Sequence, residues 1–334
     1  MRKNWWHGQT EFVRGKDEHG QPRLVRGNDG GMDEGERKTL REMLENKVAF
    51  DQPMEQWTTF QVGGKADALC FVEDVFSLEK ILAYAGATGT PYLVVGRGSN
   101  LLVKDQGVRG LVLILRGRLA LLERRGKEGD LVSAGAGLPL ANLLNECRRQ
   151  GLGGLEFLAG IPGAVGGAVA MNAGAWGKET ADVLDEVEIM SASGELIRAK
   201  RATLRFSYRK FCVPEGSVIV KATFQCTRAS AQEVGERMRH YLEMRKVSQP
   251  LEHASGGSVF KNPPGDFAGR LIEGAGLKGF RVGGAVISDK HANFIVNTGG
   301  AKACEVLALM ELARKRVKEK TGVDLQPEIK VVGT

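Results

Sequence analysis

Gly160-Ile161-Pro162-Gly163-Ala164-Val165-Gly166-Gly167 is followed, three residues later, by Met171-Asn172-Ala173-Gly174. Four glycines and a proline in eight positions specify a fixed backbone path almost bare of side chains. A buried turn is the plain reading. A path this bare would leave a void unless something packed against it, because protein interiors are filled to crystal-like density. A flat cofactor carrying a diphosphate would fill that space. The stretch lies within residues 157–177, 21 positions free of charge. That length suggests a membrane span, but six glycines and Pro162 fall inside it. It therefore reads as a glycine-rich loop system rather than a span.

On the N-terminal side a second glycine-rich turn, Gly96-Arg97-Gly98-Ser99-Asn100, follows directly on an apolar run at 91–95. It fails the dinucleotide fingerprint, because Leu101 stands where a third glycine is needed. No Gly-Lys-Ser/Thr follows, so it is not a P-loop. An ordinary strand-to-loop turn and a nest of backbone N–H groups for an anion both remain open.

A third cluster, Gly256-Gly257-Ser258-Val259-Phe260-Lys261-Asn262-Pro263, places a serine between glycines and an apolar pair. The spacing predicts a tight loop exposing the Ser258 hydroxyl. It is not a nucleophile elbow, which would need glycine at 260. Arg209 after Tyr208 reads on its own as a surface ion-pairing residue. Glu328 reads as a solvated residue beside a closing strand, and His253 as an exposed loop histidine.

The chain has 334 residues, 45 of them glycine, 42% apolar residues and a formal charge of +7. This is ample for a buried core and for two or three domains. Forty acidic residues nearly balance 47 basic ones and no long basic run occurs, which speaks against nucleic acid. Cysteines at 70, 147, 212, 226 and 304 form no Cys-x-x-Cys, and no His-Glu-x-x-His occurs, so no metal site is expected. An odd, scattered cysteine set fits reduced thiols in a cytoplasm.

Residues 1–31 read as an extension poor in apolar periodicity. A helix is expected from Asp33. A strand at 67–73, a helix capped by Ser77 and a strand at 91–95 form a β-α-β unit. Short strands are expected at 108–115, 119–123 and 131–134, and a helix at 141–149. Further strands are expected at 187–190, 196–198 and 217–226. A change in texture near 228 predicts a boundary. Beyond it come an amphipathic helix around 234–245, strands at 284–287 and 293–297, a helix at 302–320 and a strand at 329–332.

Seven segments in order resemble one family. They are Thr58–Gly64, Val95–Leu102, Gly160–Gly167 with Met171–Gly174, Tyr208-Arg209, Gly257–Pro263, His291–Asn297 and Gln326-Pro327-Glu328. Together they resemble the UDP-N-acetylenolpyruvoylglucosamine reductases, cytoplasmic bacterial flavoenzymes of peptidoglycan precursor synthesis. The resemblance implies an α+β architecture. Residues 32–228 would form a two-part FAD-binding module of vanillyl-alcohol-oxidase type, split near 105–110. Residues 229–334 would form an α+β substrate domain. The Gly-Ser-Val-Phe motif is similar to the shorter subclass, which lacks an inserted tyrosine-bearing loop.

The resemblance also implies roles. FAD would be held noncovalently by Gly96, Arg97, Gly98, Ser99, Asn100, Leu101, Gly160, Ile161, Pro162, Gly163, Val165, Gly166, Gly167, Asn172 and Gly174. NADPH would reduce it. A hydride would then pass to the β-carbon of the enolpyruvyl ether. Arg209 and Glu328 match the pair that polarises the substrate carboxylate, Glu328 only if protonated or sharing a hydrogen bond. Ser258 matches the proton donor to the α-carbon, and Lys246 and Asn262 match substrate-binding positions. Two departures stand out: Lys210-Phe211-Cys212 after the Tyr-Arg pair, and Ala254-Ser255-Gly256-Gly257 before the serine. A UDP-sugar is the expected partner, with no nucleic acid, no membrane span and a monomeric state. The alternatives are another flavin oxidoreductase on the same module and a non-enzymatic basic binding protein.

Overall fold

A computed structural model describes residues 31–126 and 130–334. The extension read over 1–31 lies outside the described residues, apart from Gly31. The chain divides into two compact units. The first takes residues up to Asp51, Asp67–Gly96 and Arg109–Tyr241, and the second takes Gln52–Ala66, Arg97–Val108 and Leu242–Thr334.

In the first unit, one sheet has the order Val48–Pro53, Lys65–Val72, Val108–Leu115, Tyr92–Val94. The helix Val75–Thr88 buries Leu78, Ile81, Leu82 and Ala85, the face that apolar spacing predicts. Its cap is Asp74 rather than Ser77. The Asp74 carboxylate accepts from the Ser77 N–H at 2.7 Å, and the bonds to Ser77 hold that carboxyl below its usual range against burial. The helix ends at Gly89, whose φ of +68° suits glycine. Strand Tyr92–Val94 runs parallel to Val108–Leu115 and is separated by it from Lys65–Val72. The β-α-β unit therefore exists with a later strand inserted between its two strands.

A second sheet of the same unit is antiparallel throughout, in the order Leu196–Lys200, Leu184–Met190, Val218–Gln225, Leu131–Gly135, Leu122–Arg125. The strand expected at 119–123 begins later. Residues Gly117–Ala120 form one 3₁₀ turn, closed by Leu119 N–H to Arg116 O at 3.0 Å. Leu119 is buried by that turn, so burial rather than strand alternation explains its apolar side chain. Helix Leu140–Arg149 buries Leu140, Leu143, Leu144 and Cys147, as its spacing predicts.

The charge-free stretch resolves into a 3₁₀ turn at Glu156–Leu158, a loop, the short helix Val165–Ala170 and a hairpin arm at Gly174–Ala175. Among the described residues, no helix is long and apolar enough to cross a membrane.

In the second unit, a four-stranded sheet runs Ala254–Ser258, Phe294–Asn297, Ala285–Ile287, Arg281–Val282. Helix Ala303–Thr321 buries Val306, Leu309, Met310, Ala313 and Val317 in the same apolar cluster as Ala285, Ile287 and Ile295. Strand Lys330–Val332 pairs in parallel with Leu101–Val103.

The long helix starts on a carboxylate from elsewhere in the unit. Asp105 accepts the N–H groups of Ala303 at 2.8 Å and Cys304 at 2.9 Å. Burial raises the Asp105 pKa, yet these two bonds outweigh it and hold the carboxyl below its usual range. Asp105→Ala should destabilise the unit by about 1 kcal/mol, through the lost cap and the lost charge at a helix N-terminus. Urea unfolding at pH 7 would show this. A lowered folded pKa gives stability above the unfolded value that is lost as pH falls, so the difference between wild type and variant should shrink in acid.

Candidate active site

The serine motif is a strand end rather than a loop. Ser258 closes strand Ala254–Ser258 and pairs with Phe294, with a register shift between Ser255 and Ser258 where the two glycines sit. Gly257 has a φ of +77°. A Cβ at Gly256 would lie 2.4 Å from Ile329 Cδ1 and 2.8 Å from Phe60 Cδ2, so only glycine fits there. The bulge turns the chain and leaves Ser258 half-buried, lining a cavity of ≈ 290 Å³.

Beyond Ser258 the backbone is gripped from two sides. On one side Asn293 O accepts the Val259 N–H at 2.8 Å, and the Asn293 amide bonds both backbone groups of Phe260. On the other side the Glu328 N–H donates to Val259 O at 2.8 Å, and Lys261 N–H donates to Gln326 O. Ser258 and Glu328 are thus brought together through the backbone, although 70 positions separate them in the chain. The Glu328 carbonyl in turn accepts from Asn100 Nδ2 at 3.0 Å, and Lys330 N–H donates to Asn100 O. This ties the turn Arg97–Leu101 to the same strand. Gly98 within it has φ +60°, and a Cβ there would meet Trp57 O at 2.3 Å.

Asn262 caps helix Ala268–Gly274, its Oδ1 accepting the Ala268 N–H at 3.0 Å, and it lines the cavity. Arg270, Glu273 and Lys290 line it with charge, and His291 lines it too. Lys246 is exposed in the last turn of helix Ala231–Ser248, and its carbonyl accepts Lys290 Nζ at 2.7 Å. Sequence reasoning gave His291, Asn293, Arg270 and Lys290 no role. The segment His291–Asn297 was a signal, but nothing in the spacing says that Asn293 would reach Phe260.

In the first unit, the bare stretch is stitched along one edge. Gly163 O accepts Leu140 N–H, Val165 N–H donates to Leu138 O, and Gly166 N–H donates to Ala136 O, all at 2.8–2.9 Å. A Cβ at Gly166 would lie 2.9 Å from Ala136 Cβ, and one at Gly96 3.0 Å from Ala164 Cβ. These glycines permit backbone contact within the protein. Gly167 differs: it is exposed, and a Cβ there would meet nothing within 4 Å. Gly160, at φ +78°, is exposed too. One edge of the loop is packed and the other presents bare backbone to open space. A flat, phosphate-bearing cofactor fits that edge, and Gly160, Ile161, Pro162, Gly163 and Gly167 would hold it.

Asn172 is fully buried with φ +41° and turns inward. Its Oδ1 accepts the Ala181 N–H at 3.0 Å, and its Nδ2 donates to Ser207 O at 3.2 Å. That anchors the hairpin Phe206–Ser207/Lys210–Phe211, whose two-residue tip is Tyr208-Arg209. Arg209 stands at φ +57°, a conformation costly for a non-glycine residue, as is common at functional sites. Its Nη1 donates to Gly174 O at 3.0 Å, and its guanidinium lies 5.1 Å from the Tyr208 ring centroid. Phe211, a departure noted in the sequence, is buried and stacks on Phe206 at 4.3 Å between centroids, so it supports this hairpin.

Comparison with known proteins matches residues 66–200 to the FAD binding domain family and residues 249–332 to the UDP-N-acetylenolpyruvoylglucosamine reductase C-terminal domain family. A curated UDP-N-acetylenolpyruvoylglucosamine reductase of Geobacter metallireducens is 45% identical over 88% of this chain and 97% of its own length. One from Caldanaerobacter subterraneus is 41% identical over 88% and 97%. The crystal structure of UDP-N-acetylenolpyruvylglucosamine reductase from Thermus caldophilus matches at TM-score 0.74 and 40% identity, covering 86% of this chain and 98% of that one.

Two substitutions separate packing from binding. Asn172→Ala strands the buried Ala181 N–H and gives up the part-buried bond to Ser207 O, and should cost about 2 kcal/mol in thermal or urea unfolding. At Gly167 a Cβ meets nothing within 4 Å and leucine favours the helix, so Gly167→Leu should purify folded but with reduced flavin content by absorbance. A folded Gly167→Leu protein with full flavin would move the cofactor off this edge.

Proposed function

This chain belongs to the UDP-N-acetylenolpyruvoylglucosamine reductase family, and we propose that Ser258, Arg209 and Glu328 carry its reaction, with Lys246 and Asn262 binding substrate. The protein is an NADPH-dependent FAD oxidoreductase that reduces UDP-N-acetylglucosamine enolpyruvate to UDP-N-acetylmuramate in peptidoglycan precursor synthesis. We read its fold as a FAD-binding module of vanillyl-alcohol-oxidase type together with an α+β substrate domain. Membership of the family sets aside the basic binding protein as a reading of the charge.

With FAD held along the glycine-rich edge and reduced by NADPH, the hydride received by the β-carbon of the enolpyruvyl ether would come from the flavin. The residues of this chain manage the charge and the proton. Negative charge develops on the α-carbon and spreads into the substrate carboxylate. A guanidinium is a permanent, planar cation suited to a carboxylate, and Arg209 is held ready for it by the Asn172-anchored hairpin. The Ser258 O–H bond breaks as its proton forms the new C–H bond at the α-carbon. The resulting alkoxide regains a proton from water, which the polar cavity beside it admits. A serine hydroxyl is a weak acid, so its placement must supply much of the effect.

The observation that carries the assignment is the backbone bond from Glu328 N–H to Val259 O at 2.8 Å. It brings the backbone of Glu328 against the residue that follows the proposed proton donor. With its proton retained or shared, Glu328 would hydrogen-bond the developing enolate rather than repel it. The lysine of Lys246 suits the diphosphate of a UDP-sugar. We further read the enzyme as a monomer of the bacterial cytoplasm, which sedimentation and cell fractionation would check.

Ser258→Ala should bleach its flavin with NADPH at the wild-type rate. Reoxidation of that flavin by the enolpyruvyl ether should be slower by about 10²–10⁴-fold, the usual size of a proton-transfer contribution. Stopped-flow absorbance of the two half-reactions separates them. Unchanged reoxidation would remove Ser258 from its role.

A further inference from the structure

We propose that His291 is a positioning residue for Ser258, acting as a neutral imidazole that accepts the Asn293 N–H and so sets the segment carrying the serine. The inference rests on the reductase reading above and assigns a residue that reading leaves without a role.

The Asn293 N–H donates to His291 Nδ1 at 3.2 Å. An acceptor nitrogen carries no proton, so the ring is neutral with its hydrogen on Nε2. An imidazolium has N–H on both nitrogens and cannot accept this bond. Asn293 is 3% exposed. Its carbonyl takes the Val259 N–H at 2.8 Å, its Oδ1 takes the Phe260 N–H at 3.0 Å, and its Nδ2 donates to Phe260 O at 2.8 Å. Residues 259 and 260 therefore hang on Asn293, and Ser258 pairs with the neighbouring Phe294. A turn of Asn293 is passed to Ser258 through the backbone of Val259.

The ring is fixed in its own right. A Cβ at Gly269 would lie 3.0 Å from His291 Cε1, so the imidazole rests on bare helix backbone. Phe294 meets it edge-on, with centroids 5.0 Å apart. Ser288 Oγ accepts the N–H groups of Lys290 at 3.2 Å and His291 at 3.4 Å, closing the turn that presents the ring. His291 also lines the cavity that Ser258 borders.

Several charges surround it. Arg270 and Glu273 lie on helix Ala268–Gly274, Lys278 follows that helix, and Asp289 and Lys290 precede His291 in the turn. Lys290 Nζ is drawn to the Lys246 carbonyl. Burial lowers the His291 pKa first, and Lys278 lowers it further, while its own backbone and Glu273 oppose. The neutral form is thus the resting form at neutral pH. Protonation comes below the usual 6.5, and with it the Asn293 bond is lost.

The test uses flavin-loaded enzyme in separate half-reactions, with His291→Asn, His291→Ala and Gly269→Ala. Asparagine can place Oδ1 where Nδ1 accepts and does not titrate. His291→Ala should lower the rate of ether reduction about tenfold at pH 7.5 with KM little changed, since small misplacements of reacting groups cost rate rather than affinity. His291→Asn should restore that rate to within about threefold and remove one protonation from the acid limb of the profile. Gly269→Ala, which pushes the ring without touching its chemistry, should fall between them. Flavin reduction by NADPH should be unchanged in all three, which a general loss of fold would not allow. Imidazole ¹⁵N spectra should show the Nε2–H tautomer at pH 7.5. Full activity in His291→Ala, a wild-type acid limb in His291→Asn, or an Nδ1–H tautomer would overturn the proposal. If wild-type enzyme accepts electrons from NADPH but does not reduce the ether, the reductase reading fails instead.

Discussion

A buried asparagine amide closing on both backbone groups of one phenylalanine is the constraint on which the second unit turns. The bonds between Asn293 and Phe260 give the chain after Ser258 a single register. The strand end at Ser258, the bridge from Phe260 to Pro327 and the approach of Glu328 to Val259 all follow from that register. A buried amide left half-bonded costs more than the same group in water, so the arrangement is all-or-none. It fixes the backbone that carries Ser258 against the backbone that carries Glu328.

The first unit uses the opposite device, which is the absence of side chains. Glycines 96 and 166 let backbone segments approach within the unit, whereas Gly167 leaves an exposed edge empty. The same residue type thus serves packing at two positions and access at a third. Asn172 belongs with the packing group: its position beside the glycine stretch suggests a cofactor contact, but its amide is spent on Ala181 and Ser207. Through that amide the glycine-rich loop and the Arg209 hairpin share one support.

Strain and burial mark the residues to which the reaction is assigned. Arg209 holds a left-handed backbone at the tip of a two-residue hairpin, and Ser258 follows a glycine with φ +77°. The Arg209 conformation persists only where surrounding bonds over-determine it, whereas glycine adopts that of Gly257 without strain. Around Arg209 those bonds come from Asn172 and Gly174, and around Ser258 from Asn293. Arg209 and Ser258 are thus half-exposed side chains on hydrogen-bonded backbone.

The sequence by itself determined the parts whose physics is local. The helix at Val75–Thr88 and the one at Ala303–Thr321 follow from 3.6-residue apolar spacing, the stop at Gly89 from backbone freedom, and the bare path at 160–167 from composition alone. The family was legible because seven short motifs keep their order. Tertiary structure decided what depends on segments far apart in the chain. It inserted Val108–Leu115 between the strands of an apparent β-α-β unit, moved a helix cap from Ser77 to Asp74, and drew the serine loop out into a bulged strand. It also recruited Asp105 to cap a helix nearly 200 residues away, and Asn293 to hold Phe260. Periodicity and turn chemistry act over a few residues. A hydrogen bond between distant segments leaves no period in the sequence, so the placement of Ser258 against Glu328 could be read only from the folded chain.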